Sequence, residues 1–209
     1  MANSNRPDRA PMTEEEIRAA WVTEPPRLVG RIEVVDYDPE WPRLFEREAD
    51  RIRAVLGKRA VQLEHVGSTS VPGLAAKPII DIMLVVPDSG DELAYVPDLE
   101  AAGYVLVIRE AERQQHRVFK GPDTNVNLHV YSPGSPEIER YLIFRDRLRS
   151  DPADRERYQH VKRELARRDW RYVQQYADAK TEVVERSSPG HRARQPGRDL
   201  DWTSHAVGS

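Results

Sequence analysis

Cysteine is absent from all 209 residues. That excludes a disulfide framework, a thiolate metal site and a cysteine nucleophile. Long apolar runs are missing too. The longest, residues 79–86, is interrupted by Asp81 and falls far short of the roughly 20 residues a bilayer-spanning helix needs. Residues 1–11 lack the apolar stretch of a secretory signal, so the expected location is the cytoplasm, with no membrane partner. The formal net charge of −3 gives no overall pull toward nucleic acid. Two phosphate-binding signatures are also absent. No Gly-Lys-Ser/Thr ending marks a P-loop, and no G-x-G-x-x-G opens a dinucleotide fold, so kinase and dehydrogenase readings lose their main support.

What is present reads as one α/β domain of the mixed, α+β kind, a small sheet flanked by helices, over residues 31–186. A partly disordered arm precedes it (1–30), and a Pro-, Gly- and Arg-rich tail follows (187–209). Thr13-Glu14-Glu15-Glu16 is a capping-box pattern that opens a short helix. Ile32 to Val35 reads as a first strand. Asp38-Pro39-Glu40 is expected to cap a helix whose apolar residues run from Trp41 to Leu56, with Gly57 as its stop. Strands are expected at Val61–Val66, Ile79–Val86 and Tyr104–Ile108. Residues 91–102 read as a helix kinked at Pro97. Arg117–Lys120 and Val126–Tyr131 form a hairpin around Gly121-Pro122-Asp123. Ser135-Pro136 and Asp151-Pro152 then open a C-terminal helical segment. From Arg140 to Arg171 there are 11 Arg or Lys against 6 Asp or Glu, which fits a solvated helical face or a rim that attracts phosphorylated ligands.

Asp81 carries the most information. A carboxylate in the middle of a buried strand is costly unless it is paired, hydrogen-bonded or bound to a cation. It is either a structural Asp or a functional one. Gly67-Ser68 follows the preceding strand directly, and such a turn can present backbone amides and a hydroxyl to a phosphate. Strand, Gly-Ser, short turn, then a strand bearing an acid is a phosphoryl-transfer layout. The candidate phosphate or nucleotide ligands are Gly67, Ser68, Thr69, Ser70, Lys77 and Arg117, with Arg145 a weaker one. Asp81 is the candidate metal ligand and, with His129 and Glu64, a candidate catalytic residue. His65 and His129 are each read either as hydrogen-bonded structural histidines or as a base or ligand.

The layout resembles the opening signature of the DNA polymerase beta-like nucleotidyltransferase superfamily. The stretch from Glu64-His65-Val66-Gly67-Ser68-Thr69-Ser70 through Pro72-Gly73 to Lys77-Pro78-Ile79-Ile80-Asp81-Ile82 resembles, more narrowly, the GrpB family. Tyr37-Asp38-Pro39-Glu40-Trp41-Pro42, Val126-Asn127-Leu128-His129-Val130 and Phe144-Arg145-Asp146 agree. So do the pairs Tyr158 with Lys162 and Tyr176 with Lys180. The resemblance covers Val34 to Val184. It implies a nucleotidyltransferase-like fold, a nucleotide or other phosphorylated small molecule as ligand, Mg²⁺ as cofactor, and a link to dephospho-CoA kinase, to which some members are fused. One departure bears on activity. Two-metal transfer needs a second acid two residues after Asp81, and Met83 stands there, a poor ligand for Mg²⁺. The hairpin offers Asn127 and His129 in place of a third acid. Two readings follow: an enzyme that moves a nucleotidyl group from an NTP to a small acceptor, or a non-catalytic module that binds a nucleotide or CoA precursor and assists a partner kinase. A nucleic-acid binder is not expected, for want of a stacking aromatic set.

Overall fold

The computed structural model describes residues 12–26, 31–172, 175–177 and 179–180. The expectations for residues 1–11, 27–30 and 187–209 lie outside the described residues. Helix α1 (Glu14–Ala20) opens with the complete capping box between Thr13 and Glu16. It is followed by α2 (Trp41–Leu56), β1 (Gln62–Val66), β2 (Ile80–Val85), α3 (Val96–Ala101), β3 (Val105–Glu110), β4 (His116–Lys120), β5 (Val126–Tyr131), α4 (Pro136–Ser150) and α5 (Pro152–Ala166). No helix among the described residues is long and apolar enough to cross a membrane.

The sheet order is β1-β2-β5-β4-β3. Only the β2–β5 pair is parallel; the others are antiparallel. Period-two alternation then separates two faces. Ile80, Ile82 and Leu84 of β2 join Leu128, Val130 and Phe119 in the main core, covered by Trp41, Phe45, Ala49 and Ile52 of α2 and Leu99 of α3. Asp81 and Met83 face the other way. There Val66, Met83 and Tyr131 meet Ile138, Tyr141 and Leu142 of α4. Glu48 of α2 is fully buried and accepts hydrogen bonds from Tyr104 (2.7 Å) and Thr124 (2.8 Å), which ties the hairpin turn to α2.

Three expectations differ. Residues 32–35 do not form a strand: only Val35 bridges, to Ala76, so the alternation there has no longer partner to pair with. Asp38 does not cap α2. Its carboxylate accepts from the amide of Glu40 (2.9 Å), a local turn, and α2 starts at Trp41 with Pro42 in the first turn. Pro97 likewise sits at the start of α3 rather than in a kink, after a separate 3₁₀ turn at Glu92–Ala94. The arm is docked where it is described: Ile17 is buried, Trp21 bridges Ile108, and the Val22 amide donates to Val107 (3.0 Å) along the outer edge of β3.

Candidate phosphate-and-cation site

The chain leaves β1 through Gly67, at φ 68° and ψ −170°, a region essentially restricted to glycine. A Cβ at this position would lie 2.3 Å from Oδ2 of Asp81. The Gly-Ser turn therefore rests directly on the Asp81 carboxylate. Within the turn, roles divide. Thr69 and Ser70 are buried, and their hydroxyls donate to the carbonyls of Ile79 (3.0 Å) and Gly67 (2.6 Å). They hold the turn's shape and do not present their hydroxyls to a ligand, which corrects the expectation that both bind phosphate. Gly67 and Ser68 remain partly accessible. Arg149 of α4 donates twice to the Ser70 carbonyl (3.1 and 2.8 Å), pinning the turn from outside.

Asp81 pairs in register with Val66 on one side and Asn127 on the other. Its Oδ1 accepts from Asn127 Nδ2 (2.7 Å) and lies 3.9 Å from His129 Nε2. Burial by itself would raise the Asp81 pKa, but His129, Asn127 and Lys180 outweigh it and hold the carboxyl below its ordinary value. The side chain keeps 27% exposure, enough for a ligand to reach it. Lys77, Lys120, Lys162 and Lys180 each interact electrostatically with it. Lys120 Nζ donates to Asn127 Oδ1 (2.5 Å). Burial lowers the pKa values of Lys77 and Lys120, with Asp81 opposing in both cases; Lys180 adds to the effect at Lys77, and Lys77 at Lys120. Lys162 is buried deeper, donating to the Ala75 carbonyl (2.6 Å) with its ammonium 5.2 Å over the Tyr158 ring.

Not all candidates converge. Arg117 pairs with Val130, so alternation sends it to the α3 face, where it donates to Glu92 (2.5 Å) and is 5% exposed. It is not a ligand of this site; Lys120, opposite Asn127, is the hairpin cation that reaches it. Glu64 lies on the site's face, opposite Met83, but is engaged by Arg145 (2.8 Å). Among the residues missed by sequence reasoning are Lys120, His116 and Glu110. Their signal was the hairpin register, which becomes readable only once the length of the turn is known. An open groove of about 1010 Å³ between the β1 edge and α4, lined by Val61, Gln62, Ile138, Leu142 and Ile143 among others, does not include Asp81.

His65 is a core histidine. It stacks on Phe45, ring centres 4.9 Å apart, and its Nε2–H donates to Thr69 (3.1 Å). Burial drives its pKa down to about 4; Asp81 opposes this, and Arg149 and Arg145 add to it. The unfolded chain takes up that proton near pH 6.5. Between pH 6.5 and 4 the folded state thus binds fewer protons, and stability falls as the pH drops through that window. The full loss is expected to be about 3 kcal/mol. Urea unfolding at several pH values measures it, and His65→Asn should flatten the curve. A wild-type profile already flat between pH 7 and 4.5 would contradict a buried neutral ring.

A cation fits here in one way and not in another. Met83 is fully buried among apolar side chains, and the Asn127 carbonyl is taken by Lys120. The residues present do not form a two-cation carboxylate clamp. They do fit a single Mg²⁺ held by one carboxylate together with a ligand's phosphates and water. A mixed five-stranded sheet with a Gly-Ser turn set on a strand acid defines a nucleotidyltransferase-like fold. Similarity to known proteins agrees. The family model described as GrpB protein matches residues 31–188, and the chain belongs to the GrpB family. It is 59% identical to a UPF0157 protein of Halalkalibacterium halodurans, over 84% of this chain and 90% of that one. A dephospho-CoA kinase of Mycolicibacterium paratuberculosis is 33% identical over 66% of this chain, which spans 40% of that longer protein. Among solved structures, the conserved protein GrpB from Enterococcus faecalis superposes with TM-score 0.62 and 32% identity, over 74% of this chain and 98% of that one. The Cid1 poly(U) polymerase with MgGTP bound has TM-score 0.50 at 16% identity, over 65% of this chain and 45% of that one, a likeness of fold alone.

Proposed function

We propose that the chain binds the phosphates of a nucleotide between the Gly67-Ser68 turn and Lys77, Lys120 and Lys180, with Mg²⁺ on Asp81, and transfers a nucleotidyl group from an NTP to a small acceptor. The observation that carries this reading is the contact of Gly67 with Asp81, which sets the Gly-Ser turn beside a strand carboxylate. The lysines neutralise the polyphosphate. Bound Mg²⁺ would stabilise the charge that develops on the transferred phosphate. Asn127 holds the Asp81 carboxylate in place through its amide.

One observation favours a second reading. Met83 fills the place of the second acid with core packing, which suits a module that binds a nucleotide or CoA precursor without turning it over. Relatives named dephospho-CoA kinase support such a module working beside a kinase. Thermal shift with NTPs, CoA and dephospho-CoA, each with and without Mg²⁺, tests both. A ligand at 100 times its dissociation constant should add about 2.7 kcal/mol of stability. Asp81→Asn should abolish the Mg²⁺-dependent part of that shift. Transfer activity that survives Asp81→Asn would remove Asp81 from the site. Binding without transfer selects the module.

A further inference from the structure

The chain between the Gly-Ser turn and β2 is gripped from both sides. Ala76 exchanges both of its backbone hydrogen bonds with Val35, at 2.8 and 2.9 Å. Neighbouring residues of an extended chain point their N–H and C=O groups to opposite sides, so those of Ala75 face away from Val35. In a sheet another strand would meet them. Here α5 does. Gln159 Oε1 accepts from the Ala75 N–H (2.8 Å), and Lys162 Nζ donates to the Ala75 carbonyl (2.6 Å). Gln159 and Lys162 are three residues apart and share one face of α5. Their two side chains take the place of a neighbouring strand.

Lys162 is an unusual residue for that task. It is 2% exposed. Among the described residues its ammonium has the Ala75 carbonyl as acceptor and the Tyr158 ring at 5.2 Å, and it forms no ion pair. A buried ammonium without a carboxylate is destabilising by itself. Burial of this stretch does not depend on it, because Leu74 already packs with Val71, Leu148 and Tyr158. What the double grip adds is a fixed height and direction of the chain at Ala75. Lys77 stands two residues further on, in a narrow arch. Its carbonyl accepts from the Ile79 N–H (2.7 Å), and the Ile80 N–H is bound to the Asn125 carbonyl (2.9 Å). Held at Ala76 on one side and at Ile79 on the other, Lys77 stays partly exposed and close enough to Asp81 to interact with its charge.

We propose that Gln159 and Lys162 are positioning residues: by holding Ala75 from α5 they set Lys77 for contact with a ligand's phosphate, and so make α5 part of the phosphate site without touching the ligand. The proposal rests on the phosphate-binding reading above. It has a distinguishing mark. What the two side chains contribute to affinity passes through Lys77, and not through Lys120, which β4 holds independently of Ala75.

The test is a double-mutant cycle in ligand affinity on the full chain. Inorganic tripolyphosphate and ATP, each with Mg²⁺, are the probes, and calorimetry is the readout. Lys162→Met and Gln159→Leu should each weaken tripolyphosphate binding, Lys162→Met by about tenfold. Lys77→Ala should weaken it at least as much. In a Lys77→Ala background neither variant should change affinity by more than about twofold, because nothing is left to position, whereas in a Lys120→Ala background each should keep its full effect. Circular dichroism checks the fold. Gln159→Leu removes only a neutral acceptor and carries the test if Lys162→Met does not fold. Losses that add in full to that of Lys77→Ala would mean a general structural role and overturn the proposal. So would wild-type affinity in both α5 variants, or in Lys77→Ala. If the wild type binds both probes and the α5 variants bind them equally well, this proposal falls while the phosphate reading stands. If tripolyphosphate binds with the dependence described but ATP does not bind, the nucleotide reading falls and the positioning role stands. If the wild type binds neither probe, the phosphate reading falls and the positioning role with it.

Discussion

Gly67→Ala is expected to destabilise the protein by at least about 2 kcal/mol, because the position lies in a glycine-only backbone region and the new methyl would overlap Asp81. At this chain length that corresponds to a melting temperature lowered by roughly 4–8 °C. Gly67→Val, branched at Cβ, should fold less well still and bind no nucleotide. The two sources of strain are separable. A Cβ at residue 67 meets Asp81 Oδ2 at 2.3 Å, Cβ at 3.0 Å and Cγ at 3.1 Å. In an Asp81→Ala background the oxygen and Cγ are gone, so part of the penalty should vanish, with a coupling of about 1 kcal/mol or more. The backbone strain would remain. Strictly additive losses in a double-mutant cycle by urea unfolding would mean that the turn does not rest on the carboxylate, and the candidate site would lose its central contact.

Met83→Asp has the second large expected effect, and its sign runs against a simple restoration of the superfamily's second acid. Met83 is opposite Glu64 on β1 and His129 on β5. It is fully buried against Val66 and Tyr131, with Ile138, Tyr141 and Leu142 of α4 over it. A carboxylate there loses methionine's packing and has no cationic partner within that apolar cluster. The cost is expected to be about 3 kcal/mol or more, through a buried charge or its protonation. Thermal unfolding should show a drop of roughly 6–12 °C. Met83→Leu should cost less than about 1.5 kcal/mol, since it conserves shape and polarity. A Met83→Asp variant as stable as the wild type and with tighter Mg²⁺ binding would show instead that the second cation position is open, and would revive the two-metal enzyme.

The features that were legible from sequence are the local ones. The Gly67-Ser68 turn, the Asp81 strand, the Thr13 cap, the Gly57 stop and the hairpin around Gly121 each depend on a few neighbouring residues. Registers across the sheet were not legible. Arg117 and Lys120 lie three residues apart on β4 and so face opposite sides. Which one joins Asp81 is decided by the pairing of Lys120 with Asn127, and that depends on where the hairpin turn begins. Thr69 and Ser70 looked like phosphate ligands because hydroxyls in a Gly-Ser turn commonly are. Their burial follows from the approach of Ile79 and of the Arg149 side chain, both outside the turn. Glu110, His116 and His129 are hydrogen-bonded in line, but they come from three strands, and only the folded sheet brings them together.

The single parallel pairing in the sheet also bears on the order of assembly. The α2–β1–β2 segment carries Gly67 and Asp81, and it closes through a short antiparallel connection. The β3–β4–β5 meander carries Lys120, Asn127 and His129, and it too is built from neighbours in sequence. The two halves meet along β2 and β5, where the Asp81–Asn127 bond spans 46 residues of chain, and under α2, where Glu48 accepts from Tyr104 and Thr124. Contacts of such separation bear the larger closure entropy and form late. Each half therefore acquires its shape before the carboxylate meets its amide and imidazole, and recovery of ligand binding during refolding would time the joining of the halves rather than the formation of either one.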